Sequence, residues 1–182
     1  LDQIHRLDPN SLPVASARVQ VFLRQGRSEE AVKVCDAIVA LRGDAASHIL
    51  RGRVLLAVGR ADAASADLDT AVDLEPRNPQ VWLIRSESHR VQGRTAQALT
   101  DMDRALALDP NSATVQRTAI PLLLTSREPH RVAQAKAMLD KAVQDRPEDV
   151  DLQMIKVQLL LESGLAPSVA EAERTLQSLT TN

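Results

Sequence analysis

Pro76 and Pro110 stand 34 residues apart, and the same offset joins Leu74 to Leu108, Ala64 to Ala98, Gly59 to Gly93 and Ala71 to Ala105. Self-similarity at such a period marks a stack of supersecondary units, because one unit cannot bury its apolar face alone and must pack on its neighbours. No other property of the chain narrows its fold as much.

The register extends beyond those pairs. Glycine recurs at Gly26, Gly59, Gly93 and Gly164, and Ala31, Ala64 and Ala98 follow the first three by five residues. Ala135 and Ala172 are the matching residues further on. Four residues after each Ala comes Cys35, Leu68, Met102, Leu139 or Leu176, and three further on Ile38, Ala71, Ala105, Ala142 or Leu179. Offsets of four and seven trace one face of a helix. Ahead of each turn lies a second periodic stretch, at 12–24, 46–57, 80–91, 114–125 and 151–162. Each unit therefore reads as helix, turn, helix and link.

Backbone chemistry accounts for the links. Pro9, Pro76, Pro110 and Pro147 stand where a helix must stop, since Pro disfavours helical geometry in the residue before it. Asn78 ahead of Pro79 and Asp44 ahead of Ala45 are placed to cap the helices that follow. Pro121 falls inside a predicted helix and should bend or break it, because it has no N–H and its ring meets the Arg117 carbonyl.

Composition agrees by what it lacks. Hydrophobic residues make up 44% of the chain but aromatics only 1%, so the core must be built from Ala, Leu and Val, a poor recipe for a β-sandwich. A net charge of −2 excludes a dominant electrostatic attraction to nucleic acid or anionic membrane. Cys35 is the single cysteine and has no internal disulfide partner. No apolar run reaches the ~20 residues of a membrane span, and no basic-then-apolar leader is visible. Those absences leave the compartment open, with the cytoplasm ahead of the periplasm, and the Ala- and Arg-rich, Tyr-free composition points to a bacterial source.

The unit from Pro79 to Ser112, with Trp82, Gly93, Ala98, Ala105, Leu108, Asp109 and Pro110, resembles the tetratricopeptide repeat (TPR). Met102 and His89 stand where that pattern has aromatics, and Arg85-Ser86 where it has Leu-Gly. The unit before it is similar through Arg51-Gly52, Gly59, Ala64, Ala71 and Pro76. The resemblance implies an all-α fold: a right-handed superhelical α-solenoid of antiparallel helix pairs in one domain over 1–182. Its repeats would be 12–44, 45–78, 79–112, 113–149 and 150–182, after the end of a truncated repeat at 1–11. In the later units Glu128-Pro129-His130 and Leu165-Ala166-Pro167 should lengthen the turns, with Arg127 in place of the turn Gly. Leu1, Ile4 and Leu7 would lack a partner helix, as in a chain cut from a longer protein, and exposed ends would admit homo-oligomers.

A search for catalytic constellations yields nothing. His5, His48, His89 and His130 lie in different units without ligand spacing, so no metal site is expected, and no phosphate loop or other cofactor motif occurs. Cys35 reads as core, and Asp101 and Asp103 as solvated carboxylates on a helix surface.

The resemblance further implies that the first helix of each pair lines a concave groove. By register that face carries Ser16, Gln20 and Leu23; Ile49, Arg53 and Leu56; Leu83, Glu87 and Arg90; Arg117, Pro121 and Leu124; and Met154, Gln158 and Leu161. The expected partner-binding residues are Gln20, Ile49, Arg53, Leu83, Glu87, Arg90, Arg117, Met154 and Gln158. Arg53, Arg90 and Arg117 can fork onto carboxylates. Repeat proteins that clamp acidic chaperone tails place Lys and Asn at the groove sites, where this chain has Ser16, Gln20, Ile49, Arg53, Gln80 and Ile84, so that role is not expected. The reading is a non-catalytic scaffold for a protein or peptide partner, with a helical segment of a larger enzyme or secretion machine, or a homo-oligomer module, as the alternative.

Overall fold

The computed structural model describes residues 11–180, which form ten α-helices with no strand among them. They are α1 (Leu12–Arg24), α2 (Ser28–Arg42), α3 (Ala45–Ala57), α4 (Ala61–Leu74), α5 (Pro79–Val91), α6 (Thr95–Leu108), α7 (Ala113–Leu124), α8 (Pro129–Asp145), α9 (Val150–Glu162) and α10 (Ala166–Thr180). The odd-numbered helices start and stop within one residue of the periodic stretches, and the fold is an all-α helical repeat. Leu1, Ile4, His5, Leu7, Pro9 and Asn10 lie outside the described residues.

Local chemistry sets the boundaries. Asp44 accepts from the Ser47 N–H at 2.9 Å, and Asn78 from the Gln80 N–H at 2.9 Å with Pro79 following at the first helical position. Between α3 and α4 the chain turns at Gly59, whose φ of 79° is one that a side chain disfavours.

Two expectations are corrected. The extra residues of the later units extend the second helix rather than the turn: α8 already begins at Pro129 and α10 at Ala166. Pro129 is in its favoured first-turn place, so nothing stops α8 from starting there. Pro121 does not break α7, which runs on to Leu124. It sits in the last turn, where only one helical bond is forfeited, and the Thr125 N–H still reaches the Pro121 carbonyl at 3.3 Å.

By its contacts the chain falls into two compact units, Leu1–Leu108 and Asp109–Asn182. Within the first, consecutive helices pack on one another, and α3 also touches α1 and α5. Its core joins Ala31, Cys35, Ile38, Val54, Leu55, Ala64 and Leu68, with a second cluster of Ala45, Ala71, Val72 and Val81 under Ile49 and Trp82. Small residues permit this close approach: a Cβ on Gly52 would lie 2.8 Å from Leu68 Cδ2. Ser86, at the matching place in the next repeat, keeps the contact by donating its buried hydroxyl to the Ala98 carbonyl at 2.7 Å. In the second unit α8 packs on α7 and α9, and Ile120, Leu139, Ala142 and Leu152 form the core.

Candidate functional site

Most basic side chains near the first helices are committed to holding the repeats together. Arg51 on α3 donates from Nε and Nη2 to the two oxygens of Asp67 on α4, both at 2.7 Å, and from Nη1 to Asp36 on α2 at 3.1 Å. Arg85 on α5 repeats this, at 2.8 and 2.7 Å to Asp101 on α6 and 3.0 Å to Asp69 on α4. Each guanidinium thus ties its own helix pair to the one before. Lys156 on α9 follows in weaker form, with its ammonium 3.7 Å from Asp140 and 3.3 Å from Glu171. His48 Nδ1 lies 2.8 Å from Asp67, and His89 Nε2 3.5 Å from Asp101. Burial opposes ionisation of Asp67, but hydrogen bonds from Arg51 and His48 outweigh it and hold the carboxyl below its ordinary range.

These contacts overturn the reading of Asp101 as solvated. It is 3% exposed and wholly engaged by Arg85. Asp103, half exposed, is also partnered. Cys35 is buried in the core, and burial pushes its thiol up to about 11, away from nucleophilic chemistry. A second device was not foreseen. Trp82 Nε1, Gln116 Nε2 and Gln153 Nε2 each donate to the carbonyl of the Pro six residues earlier, Pro76 at 2.9 Å, Pro110 at 2.7 Å and Pro147 at 3.1 Å. The recurring interval from link Pro to a donor was the signal available in the sequence.

On the face named for binding in the first unit, Gln20 and Arg53 are exposed and Ile49 is half buried against Ala45 and Val81. Leu83 is not available: at 5% exposure it belongs to the interior, so no partner side chain can rest on it. Arg90 is exposed but occupied, with Nε and Nη2 each 2.6 Å from a Glu87 oxygen. Arg53 differs. Among the described residues it has no hydrogen-bond or ion-pair partner.

In the second unit Arg117 points at acids, with Nη1 3.1 Å from Asp151 and 3.8 Å from Asp149. Met154 and Leu161 on α9 are 46% and 47% exposed, with Gln158 exposed between them and donating to Glu162 at 3.0 Å. A cleft of about 190 Å³ lies beside them, walled by Pro121, Leu124 and Thr125 of α7 and Ile155, Gln158, Leu159 and Glu162 of α9. Among the described residues no three His, Cys, Asp or Glu side chains come together as metal ligands would, and no helix is long and apolar enough to cross a membrane.

Helix pairs stacked through recurring small-residue contacts and tied by an arginine at the same place in successive units define a helical-repeat protein. Residues 49–113 match the tetratricopeptide repeat family model. Solved structures agree on the fold. A thermophilic TPR protein of Thermus thermophilus superposes with a TM-score of 0.72 at 20% identity, over 85% of this chain and 84% of that one. A tetratricopeptide repeat protein of Parabacteroides merdae gives 0.71 at 15%, over 98% and 68%. YrrB, described as a TPR protein with an unusual peptide-binding site, gives 0.60 at 18%, over 85% and 79%. No curated protein matches the sequence. The TPR fold is generally a non-catalytic scaffold for protein–protein interaction.

Proposed function

We propose that this chain is a non-catalytic interaction scaffold that seats a partner peptide on the first-helix face of α1, α3 and α5. The observation that carries this is Arg53. It is an exposed guanidinium without a partner among the described residues, whereas Arg51 and Arg85 are spent on internal bridges and Arg90 on Glu87. Arg offers a planar fork matched to a carboxylate or amide, so the partner segment presents one of these groups at Arg53. Gln20 offers a neutral hydrogen-bonding group on α1, and the half-exposed Ile49 an apolar contact on α3. That a peptide site exists in YrrB supports the reading by analogy of fold alone.

The test is a peptide array of acidic and amide-rich segments, followed by calorimetric titration of the best binder. Arg53→Ala should weaken it by about 1–3 kcal/mol, the range for a hydrogen bond to a charged group. Arg90→Ala should cost less, because Glu87 already holds that side chain. Equal binding by the parent and Arg53→Ala would remove the site from this face. Loss only on altering exposed end residues would favour the homo-oligomer module instead.

A further inference from the structure

On α1 the bridging arginine of the repeat stands without an acid. Arg18 holds the place of Arg51 and Arg85, counted eight residues back from Gly26, Gly59 and Gly93. Each of the later two is bonded to an acid of its own pair, Asp67 or Asp101, and to one on the preceding second helix, Asp36 or Asp69. Sixteen residues after Arg18, where the first of those acids would stand, the chain has Val34. Arg18 is exposed and, among the described residues, has no hydrogen-bond or ion-pair partner. An acid in the remaining place would come from residues ahead of α1.

The surface beside Arg18 suits such a segment. A cleft of about 260 Å³ is lined there by the apolar Phe22, Val34 and Ile38 and by Lys33. Phe22 corresponds to Leu55 of α3, which is 7% exposed in the core it shares with Cys35 and Ile38 of α2. Phe22 itself is only half buried. Glu30 also borders the cleft, but Arg27 bonds to it at 3.0 Å, so the charges of Arg18 and Lys33 are in excess.

The sequence ahead of α1 carries a matching strip. Seven residues before the link prolines Pro9, Pro76, Pro110 and Pro147 stands an acid each time: Asp2, Asp69, Asp103 and Asp140. Asp2 precedes Arg18 by sixteen residues, the interval from Asp69 to Arg85 and from Asp140 to Lys156. Leu1, by the same count, matches Leu68, Met102 and Leu139, and Ile4 matches Ala71, Ala105 and Ala142, all six no more than 1% exposed. Residues three apart share one face of a helix.

We propose that the α1–α2 cleft is the seat of the segment Leu1–Asp8, with Leu1 and Ile4 against Phe22, Val34 and Ile38 and the Asp2 carboxylate accepting from the Arg18 guanidinium. The segment lies outside the described residues, and its intervals assign it to this surface. Seated there, it closes an apolar, cationic end of the first unit that would otherwise draw another chain. This goes beyond the Arg53 reading, since it concerns the end of the stack and not the first-helix face.

Hydrogen exchange of the full chain, read residue by residue by NMR without any peptide, tests it. The amides of His5 to Asp8, whose acceptors in a helix are the carbonyls of Leu1 to Ile4, should exchange at least about tenfold slower than in an unstructured peptide of the same sequence. Arg18→Asp should speed them at least about fivefold, and Asp2→Arg alone should do the same without altering α1. Combining the two reverses the pair and should bring the rates back to within about twofold of the parent. Ile4→Asp should remove the protection, while amides of α4 and α5 keep their rates in every variant. Arg53→Ala should change nothing here, so failure of this seat and failure of the Arg53 site are separable. Parent rates equal to those of the peptide, indifference to Arg18→Asp and Asp2→Arg, or no recovery in the reversed pair would each overturn the proposal. Protection that grows with chain concentration would overturn it too, by making a second copy the occupant.

Discussion

Asp67→Asn changes one oxygen to an amide nitrogen at the centre of the best-formed bridge, and its cost follows from the geometry. Asp67 is 3% exposed and accepts from both Arg51 nitrogens at 2.7 Å. The amide presents a donor to one of them and leaves a guanidinium without its counter-charge. Breaking a buried pair from one side costs about 3–5 kcal/mol. Arg51 is 26% exposed and keeps Asp36, so the lower end applies, about 3 kcal/mol, or roughly 6–12 °C in midpoint for a chain of this size. Glu87→Gln, on the exposed pair with Arg90, should cost no more than about 0.5 kcal/mol. Acid adds a second check. Because the native carboxyl of Asp67 titrates below its ordinary value, its stabilisation is complete above the unfolded value of about 3.9 and is lost as pH falls through the lower native one. The gap between parent and Asp67→Asn should be full at neutral pH and should shrink below about pH 4. Urea unfolding followed by circular dichroism across that range measures both. A gap under about 1 kcal/mol at neutral pH, or one that stays constant into acid, would refute the bridge as a source of stability.

Gly52→Ala should destabilise by about 1–3 kcal/mol in the same assay, since the new methyl meets Leu68 at 2.8 Å in a packed interface. Pro121→Ala should raise the melting temperature slightly, because it restores one N–H to the Arg117 carbonyl in the last turn, worth about 0.5–1.5 kcal/mol. Cys35 should resist a thiol-specific reagent in the native chain and react on unfolding, being both buried and pushed up to about 11; rapid native labelling would show that α2 opens.

The fold was legible because its signals are local and repeated. The i+4 and i+7 pattern after Ala31, Ala64 and Ala98 marks core positions whatever surrounds them, and Asp44 and Asn78 cap helices through atoms two or three residues away. The binding face was less legible, for a physical reason visible in Leu83. Register put it on the same side of its helix as Ile49, but α5 is packed so that Leu83 is enclosed while Ile49 stays half open. Asp101 failed in the other direction. A carboxylate next to Met102 looks solvated until Arg85, sixteen residues earlier in sequence, is found bonded to both its oxygens. Exposure depends on neighbours in space, which a period does not name.

Arg51 and Arg53 show how one residue type meets two different surroundings within a single turn of helix. Two residues advance about 200° around an α-helix, so side chains at these positions leave α3 in nearly opposite directions. Arg51 therefore reaches Asp67 on α4 and Asp36 on α2, and a bridge to an acid on the preceding pair's second helix recurs at Arg85 with Asp69 and at Lys156 with Asp140. A cation at that angle is drawn into the contact between successive pairs and is unavailable to a ligand. Arg53 leaves on the other side and finds no acid among the described residues. Counting arginines cannot separate the two, whereas the helical angle can: it assigns the repeated cation to stacking and leaves the unrepeated one open to the recognition role proposed for it.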